Sequence, residues 1–325
     1  MGEGNNKVNK SSDEMVSVLM SVYNEKEEWL RNSIESILNQ TWSDLEFIII
    51  NDNPDNKSLL PVLYEYAEHD KRIKIIINER NKGLAGSMNE ALKFAKGKYV
   101  ARMDADDISV PDRLEKEVRY MERHLLDMAA SNAVMISEEG EEVGGFGKMP
   151  RKNIERLLPY RDMIIHPSVL IKRKVLQKLG GYRDFASAQD YDLWLRMVTG
   201  GCKIGILDEF LVYYRLRGNG ITRTNHYRQF LMAKYARKLY KERKRHKGKD
   251  SFSEENVRRY IAGQSTDRKK KRFDKANRYF DRAAVSLKNG QRVRGLCFML
   301  KAMVTDYNYI GEFLRLFLYE VGKAA

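Results

Sequence analysis

Four short apolar runs, rich in β-branched residues, recur in the first hundred positions, and each is followed by a stretch with helical spacing. Met15 to Tyr23, Leu45 to Ile50, Ile73 to Ile77 and Tyr99 to Met103 read as buried strands. Trp29, Leu30, Ile34, Ile37 and Leu38 stand at helical spacing after the first. Leu59 to Ala67, Leu84 to Ala95 and Leu114 to Leu125 read as the helices after the others. This alternation predicts an α/β doubly wound sheet flanked by helices. In such sheets ligands bind outside the carboxyl ends of the strands. Tyr23-Asn24-Glu25, Asn51-Asp52-Asn53 and Asp104-Ala105-Asp106 all lie just past predicted strands, so they are expected to converge on one edge.

The last of these clusters carries the clearest chemistry. Met103-Asp104-Ala105-Asp106-Asp107 places three carboxylates within four positions at a strand end. Mg²⁺ and Mn²⁺ prefer oxygen ligands and are commonly held by one or two carboxylates together with substrate phosphates. A nucleotide or nucleotide-sugar substrate is therefore expected. The competing structural reading is that Asp106 or Asp107 caps the helix beginning near Pro111-Asp112.

Beyond Ala129 the alternation weakens. Ala133 to Ile136 and Glu142-Val143 look like strand fragments around a glycine-rich turn, and Ile164 to Leu170 reads as another strand. Val175 to Leu179 reads as a helix stopped by Gly180-Gly181. Gln189 to Met197 starts a helix with Asp190 in its first turn, and Cys202 to Tyr214 looks like a closing strand pair. From about Thr224 the chain is helical, basic and aromatic, and Ala276 to Leu287 with Val293 to Met303 suggests a helical hairpin.

Charge divides the chain in the same way. Of 59 Lys and Arg and 45 Asp and Glu, positions 223–325 hold 27 basic and 10 acidic residues, a net +17; positions 1–222 hold 32 and 35, a net −3. A basic tail of this kind suggests a polyanionic partner, nucleic acid or an anionic membrane. Arg237, Lys238, Lys241, Arg243, Lys244, Arg245, Lys247 and Lys249 form its densest segment. The apolar stripe of Tyr309, Ile310, Phe313, Leu314, Phe317, Leu318 and Val321 fits a membrane interface, or packing against the rest of the protein or a second subunit. No nucleic-acid module is recognisable, and none is expected to bind. The two cysteines, Cys202 and Cys297, have neither disulfide nor metal spacing. The polar segment 1–14 lacks an apolar core, so it is read as disordered and not as a signal peptide. The most apolar late stretch, Leu296 to Val321, is interrupted by Lys301, Asp306, Glu312 and Arg315, so no membrane span is expected.

Taken in order, these pieces resemble a family 2 glycosyltransferase of the GT-A fold, of the kind that builds bacterial polysaccharides and glycans. The resemblance covers roughly 15–222. It rests on Val18 to Glu25, Ile49 to Asn53, Asn81 to Asn89, Gly97 to Asp107, His166-Pro167-Ser168, Gly180-Gly181-Tyr182 and Gln189 to Arg196. It implies a GT-A catalytic domain over 15–222 followed by a basic helical region over 223–325. It also implies roles at matching positions. Tyr23 and Glu25 would flank the base and ribose of a UDP- or dTDP-sugar, and Asp52 would accept from the base ring N–H. Asp104 would hold ribose or metal, and Asp106 the Mn²⁺ or Mg²⁺ that bridges the diphosphate. Asp190 would be the catalytic base that takes the proton of the acceptor hydroxyl during inverting transfer of a hexosyl or N-acetylhexosaminyl group. The acceptor implied is a glycan or lipid-linked sugar, and the location cytoplasmic with peripheral contact at the inner face of the plasma membrane.

The chain departs from the family pattern at several positions. Asn51-Asp52-Asn53-Pro54 stands where Asp-Asp-Gly-Ser is frequent, Gln189 where Glu precedes the base, and Arg217 where a His is frequent near the diphosphate. Asn51 therefore puts ribose or metal contacts there in question, and Arg217 suits phosphate and not metal. His166 is expected to order a loop. Asx-turn formation and helix capping are the structural alternatives for Asp52 and Asp190. The main competing function is a sugar-nucleotide nucleotidyltransferase, but Ser21-Val22-Tyr23-Asn24-Glu25 lacks the glycine-rich phosphate loop such an enzyme carries after its first strand.

Overall fold

The protein is described by a computed structural model, with residues 14–145, 148–185, 187–218 and 226–324 placed. The segments 1–13 and 219–225 lie outside the described residues, and with the first of them nearly all of the stretch expected to be disordered. The chain divides into two compact units. The first comprises Met1–Lys148, Ile165–Tyr182 and Ile204–Arg215; the second comprises Met149–Ile164, Arg183–Lys203 and Leu216–Ala325.

The first unit is built on one mixed sheet. Its parallel part has the order β3 (Ile73–Ile77), β2 (Leu45–Asn51), β1 (Val16–Val22), β4 (Tyr99–Asp104). These strands alternate with helices α1 (Glu27–Leu38), α2 (Leu60–His69) and α3 (Gly83–Phe94), as the apolar periodicity predicts. The strand residues are buried on both faces: Val18, Met20, Phe47, Ile48, Ile49, Ala101 and Met103 are essentially inaccessible, the mark of a parallel sheet covered by helices. The sheet continues through β8 (Val169–Lys172), β6 (Met128–Ile136), β9 (Ile204–Arg215) and β5 (Ile108–Ser109), with β7 (Glu142–Gly145) on β6. Here β8 runs antiparallel to β4 and β6, whereas β9 is parallel to β6. Helix α4 (Arg113–His124) covers this half with Leu114, Val118 and Met121, and the short α6 (Arg173–Lys178) follows β8.

Two local expectations are corrected. The strand expected over Ile164 to Leu170 is a turn of 3₁₀ helix, His166–Ser168, that enters β8 only at Val169. Pro167 has no N–H for a ladder and a fixed φ, so it sits in that turn. The strand pair expected over Cys202 to Tyr214 is a single strand, β9. Its register against β6 jumps from Ser131↔Leu207 to Asn132↔Phe210, so Asp208 and Glu209 bulge outward. There they pair with Lys148 at 3.2 Å and Lys116 at 2.6 Å. Two adjacent acidic residues interrupt an apolar run without reversing it.

The second unit is helical. It contains α5 (Ile154–Leu157), α7 (Gln189–Thr199) and five helices over His226–Arg245, Glu254–Gln264, Asp267–Lys288, Arg292–Thr305 and Asn308–Ala324. The expected hairpin is the pair Asp267–Lys288 and Arg292–Thr305. It closes through Gly290 at φ +75°, and Gly295 fits so tightly under Leu287 that a Cβ there would approach it to 2.6 Å. Among the described residues, no helix is long and apolar enough to cross a membrane.

Candidate functional site

The parallel register aligns the strand ends. Val22 lies opposite Asn51, and Ser21 lies opposite Asp104, so β1, β2 and β4 finish within one residue of one another. Tyr23, Asp52 and Asp104 are thus brought to one sheet edge. Neighbouring strands lie about 4.8 Å apart, so the tips of β2 and β4, on either side of β1, are separated by roughly 10 Å.

At the β1 tip Tyr23 is largely exposed. Its backbone N–H donates to Glu25 Oε2 at 2.7 Å, and its carbonyl accepts from Asn53 Nδ2 at 3.0 Å. At the β2 tip the Asx turn belongs to Asn51, whose Oδ1 accepts from the Asn53 N–H at 3.0 Å. Asp52 is a different kind of residue. It is buried, and its Oδ1 accepts from Asn78 Nδ2 at 2.7 Å and from the Lys82 N–H at 2.8 Å. Asn78 is itself fixed by Ser87 Oγ at 3.0 Å. Asn51 thus supplies the turn that leads into Asp52.

At the β4 tip the three carboxylates separate by role. Asp104 is half-buried, and its Oδ1 accepts from the buried guanidinium of Arg102. Its carbonyl accepts from Ser33 Oγ at 2.7 Å. Asp107 turns inward, is 1% exposed, and accepts the Arg215 N–H on Oδ1 at 2.8 Å. Burial, and then the charges of Asp106 and Asp104, push the Asp107 carboxyl well above the usual carboxylate range, while the Arg215 N–H pulls it partly back. Neither Asp106 nor Asp107 caps the following helix: Asp112 stands at its start, with no side-chain cap bond.

Arg215 holds this loop in place. Its Nε donates to the Asp106 carbonyl at 2.8 Å, and its Nη1 donates to the carbonyls of Ser137 at 3.1 Å and Glu138 at 2.9 Å. The guanidinium lies 5.3 Å from the centre of the Trp29 ring, and Trp29 Nε1 donates to the same Glu138 carbonyl at 3.1 Å. One arginine at the end of β9 therefore braces the chain beneath Asp106. Its role is not among the expectations above, although an arginine closing a long apolar strand is a signal for a buried, paired cation.

Asp104, at the end of β4, and Asp106, in the turn after it, would offer a divalent cation two hard oxygen donors, with substrate phosphates completing its shell. The third carboxylate is already committed to Arg215, and no cluster of three or more potential metal-ligating side chains occurs among the described residues. A two-carboxylate, diphosphate-completed site is the arrangement Mg²⁺ normally takes.

Two further polar residues nearby serve packing. Asn89 accepts the Tyr182 N–H on Oδ1 at 2.8 Å and donates from Nδ2 to the Tyr182 carbonyl at 2.7 Å, pinning the Gly180-Gly181 turn to α3. His166 is buried with Nε2 3.0 Å from the Tyr182 hydroxyl. Burial, and then Arg102, hold its pKa well below the ordinary value, which keeps it neutral.

Asp190 lies in the second unit, in the first turn of α7 and half-buried. Ala188 precedes it in the left-handed region at φ 64°, a conformation that starts the helix abruptly. The rest of α7 is locked. The Tyr191 hydroxyl donates to the Leu158 carbonyl at 2.8 Å, and Asp192 is fully buried against Arg196 Nε at 2.7 Å. Arg243 and Arg183 approach Asp192 at 3.7 and 3.8 Å, and both bond Asp250. Arg243 is thus interior, and Arg237 pairs with Glu312 at 3.1 Å. The cationic segment expected over 237–249 is correspondingly narrower as a surface feature. Arg217 stands at the end of the described residues before 219.

The family model for glycosyl transferase family 2 matches residues 17–180. An uncharacterised glycosyltransferase of Methanocaldococcus jannaschii is 41% identical over 237 residues, 71% of this chain and 81% of its own length. The O-antigen biosynthesis glycosyltransferase WbnJ of Escherichia coli is 38% identical over 206 residues, covering 62% and 80%. Among solved structures, S. aureus TarS 1–349 in complex with UDP-GlcNAc superposes with a TM-score of 0.56 at 17% identity, over 76% of this chain and 70% of that one, a likeness of fold. The chain belongs to the family 2 glycosyltransferases, and it is a transferase of mixed α/β, GT-A-like fold with a helical C-terminal region.

Proposed function

We propose that this glycosyltransferase moves a hexosyl or N-acetylhexosaminyl group from a UDP- or dTDP-sugar to a hydroxyl of a glycan or lipid-linked acceptor, with inversion, in the synthesis of a cell-surface polysaccharide. The observation that carries the donor assignment is the alignment of Asp52 and Asp104 on one sheet edge, roughly 10 Å apart. That separation suits a uracil or thymine base against Asp52 and a diphosphate beside Asp104 and Asp106. Tyr23, exposed at the tip between them, and Glu25 are positioned to flank the base and ribose. The polysaccharide assignment draws on the O-antigen relative, and the UDP assignment on the UDP-GlcNAc complex of TarS.

In this reading Asp190 accepts the proton of the acceptor hydroxyl as that oxygen attacks the anomeric carbon. The bond from that carbon to the diphosphate oxygen breaks, and its electron pair leaves with the diphosphate. Asp104 and Asp106 would hold a Mg²⁺ or Mn²⁺, which would supply charge neutralisation to the leaving diphosphate. Arg215, by bonding the Asp106 carbonyl, would limit movement of the loop that carries this carboxylate. A lipid-linked acceptor places the protein in the cytoplasm, in peripheral contact with the inner face of the plasma membrane.

The test is a panel of nucleotide sugars with and without Mn²⁺ or Mg²⁺, read by thermal shift and by sugar hydrolysis. A UDP- or dTDP-sugar is expected to stabilise the protein only in the presence of metal. Asp106→Ala should abolish the metal-dependent part; retention of it would refute the diphosphate assignment. Asp190→Asn should bind donor normally and lose transfer by about 10²–10⁴-fold, the usual contribution of a general base. Transfer at the normal rate would remove Asp190 from the chemistry.

A further inference from the structure

The last helix turns a charged pair inward and several apolar side chains outward. In Asn308–Ala324 the residues turned toward the protein are Tyr309, Glu312, Arg315, Leu316, Tyr319 and Gly322. Glu312 and Arg315 pair with one another, Glu312 also bonds Arg237, and Arg315 donates to the Tyr160 carbonyl. The apolar residues Ile310, Leu314, Phe317 and Val321 face outward, with Phe317 56% exposed. The preceding helix repeats the pattern. Val293, Leu296, Leu300 and Val304 recur at one helical face, and they are 77%, 55%, 62% and 88% exposed. The residues that helix buries are Gly295 and Ala302. A soluble surface rarely presents two consecutive apolar helix faces, and such patches mark interaction sites.

The charge beside the patch selects the partner. Arg282, Arg294 and Lys301 converge on the ring of Phe298, at 5.9, 5.8 and 5.6 Å from its centre. All three are exposed, and none of them forms an ion pair among the described residues. A cationic rim next to an apolar face matches an anionic lipid surface, with acyl chains against the leucines and phosphate headgroups against the rim. A second copy of the chain fits less well, because an isologous contact would set the rim against itself. No helix here is long and apolar enough to span a bilayer, so the contact lies in the interface plane.

We infer that Arg292–Thr305 and Asn308–Ala324 form a docking surface for an anionic membrane, with their outward apolar faces inserted and the Arg282/Arg294/Lys301 cluster binding headgroups. The inference draws its purpose from the lipid-linked acceptor, and donor-dependent thermal stabilisation in free solution reports on the active-site reading separately. The experiment is co-sedimentation of the full chain with phosphatidylcholine vesicles with and without phosphatidylglycerol, at low and high salt. Binding is expected only with phosphatidylglycerol, and it should weaken with salt. Leu314→Glu with Phe317→Glu should lower partitioning by more than about tenfold, because it puts charge on the inserted face, while leaving donor stabilisation intact. Arg282→Ala/Arg294→Ala/Lys301→Ala should remove most of the salt-sensitive part. Unchanged sedimentation of the double variant, absence of vesicle binding by the wild type, or conversion of a dimer to a monomer without vesicle binding would overturn it. If the double variant unfolds, a polarity-sensitive fluorophore on exposed Cys297 decides: a blue shift with phosphatidylglycerol vesicles supports the inference, and none refutes it.

Discussion

Arg215 shows how much of the site depends on groups that never meet the substrate. Its guanidinium and backbone N–H tie Asp106, Asp107, Ser137 and Glu138 to one point, and a lysine at that position has neither the fork geometry nor the reach to keep all of them. Arg215→Met is therefore expected to raise the metal concentration needed for half-maximal donor binding by about tenfold or more, with Arg215→Lys intermediate. A typical charge-assisted hydrogen bond contributes about 1.5–3 kcal/mol, enough for a shift of that size. Metal titrations monitored by donor-induced fluorescence change would measure it, and identical midpoints for all three proteins would show that the brace does not position Asp106. At this scale the acidic residues were legible because carboxylates at strand ends are few and chemically distinctive. The inward turn of Asp107 was not, because the N–H that holds it belongs to Arg215, on a strand more than a hundred residues later.

At the scale of elements, α4 illustrates the same limit. Leu114, Val118 and Met121 predict its buried face, and the helix forms where expected. Arg113 and Glu117, which share that face, are fully buried and paired at 3.1 Å, and Arg113 also donates to the Arg102 carbonyl of β4 at 3.1 Å. A charged pair on a helix normally reads as a solvated face, so nothing in local spacing announces it. Burial is the largest influence on Glu117 and raises its pKa to about 7, against the opposing effect of Arg113. A carboxyl whose folded pKa lies above its unfolded value favours the folded state while protonated. The contribution is complete below about 4.5 and is lost as pH rises through about 7. The linkage amounts to about 2–3 kcal/mol between pH 5 and pH 8. Urea unfolding of the wild type minus that of Glu117→Gln should therefore fall by about that amount across this range. A difference that is flat or rises with pH would mean Glu117 is ionised throughout.

At the scale of the whole chain, the tail cannot be read from its charge alone. The run from Arg237 to Lys249 looks like a uniform cationic surface, yet Leu231, Tyr235, Leu239 and Arg243 recur every fourth residue and are all buried. That spacing was available in the sequence, and it marks Arg243 as an inward member of an apolar stripe. What spacing does not disclose is the partner. Arg243 meets Asp192 and Asp250, so a residue more than fifty positions downstream of Asp190 helps fix the helix on which Asp190 stands. Removing one member of a buried ion network leaves the others uncompensated, at a cost of about 3–5 kcal/mol. Arg243→Ala is expected to lower the melting temperature by about 6–20 °C, since each kcal/mol shifts a domain of about 150–250 residues by about 2–4 °C. Donor affinity should stay within about twofold, because Tyr23, Asp52, Asp104 and Asp106 belong to the other compact unit, while turnover falls with the disturbance of α7. Calorimetry and initial rates would separate these effects. An unchanged melting temperature would show that the pairing of Arg243 carries no structural weight, and loss of donor affinity equal to the loss of turnover would show that its influence is not confined to the helix bearing Asp190.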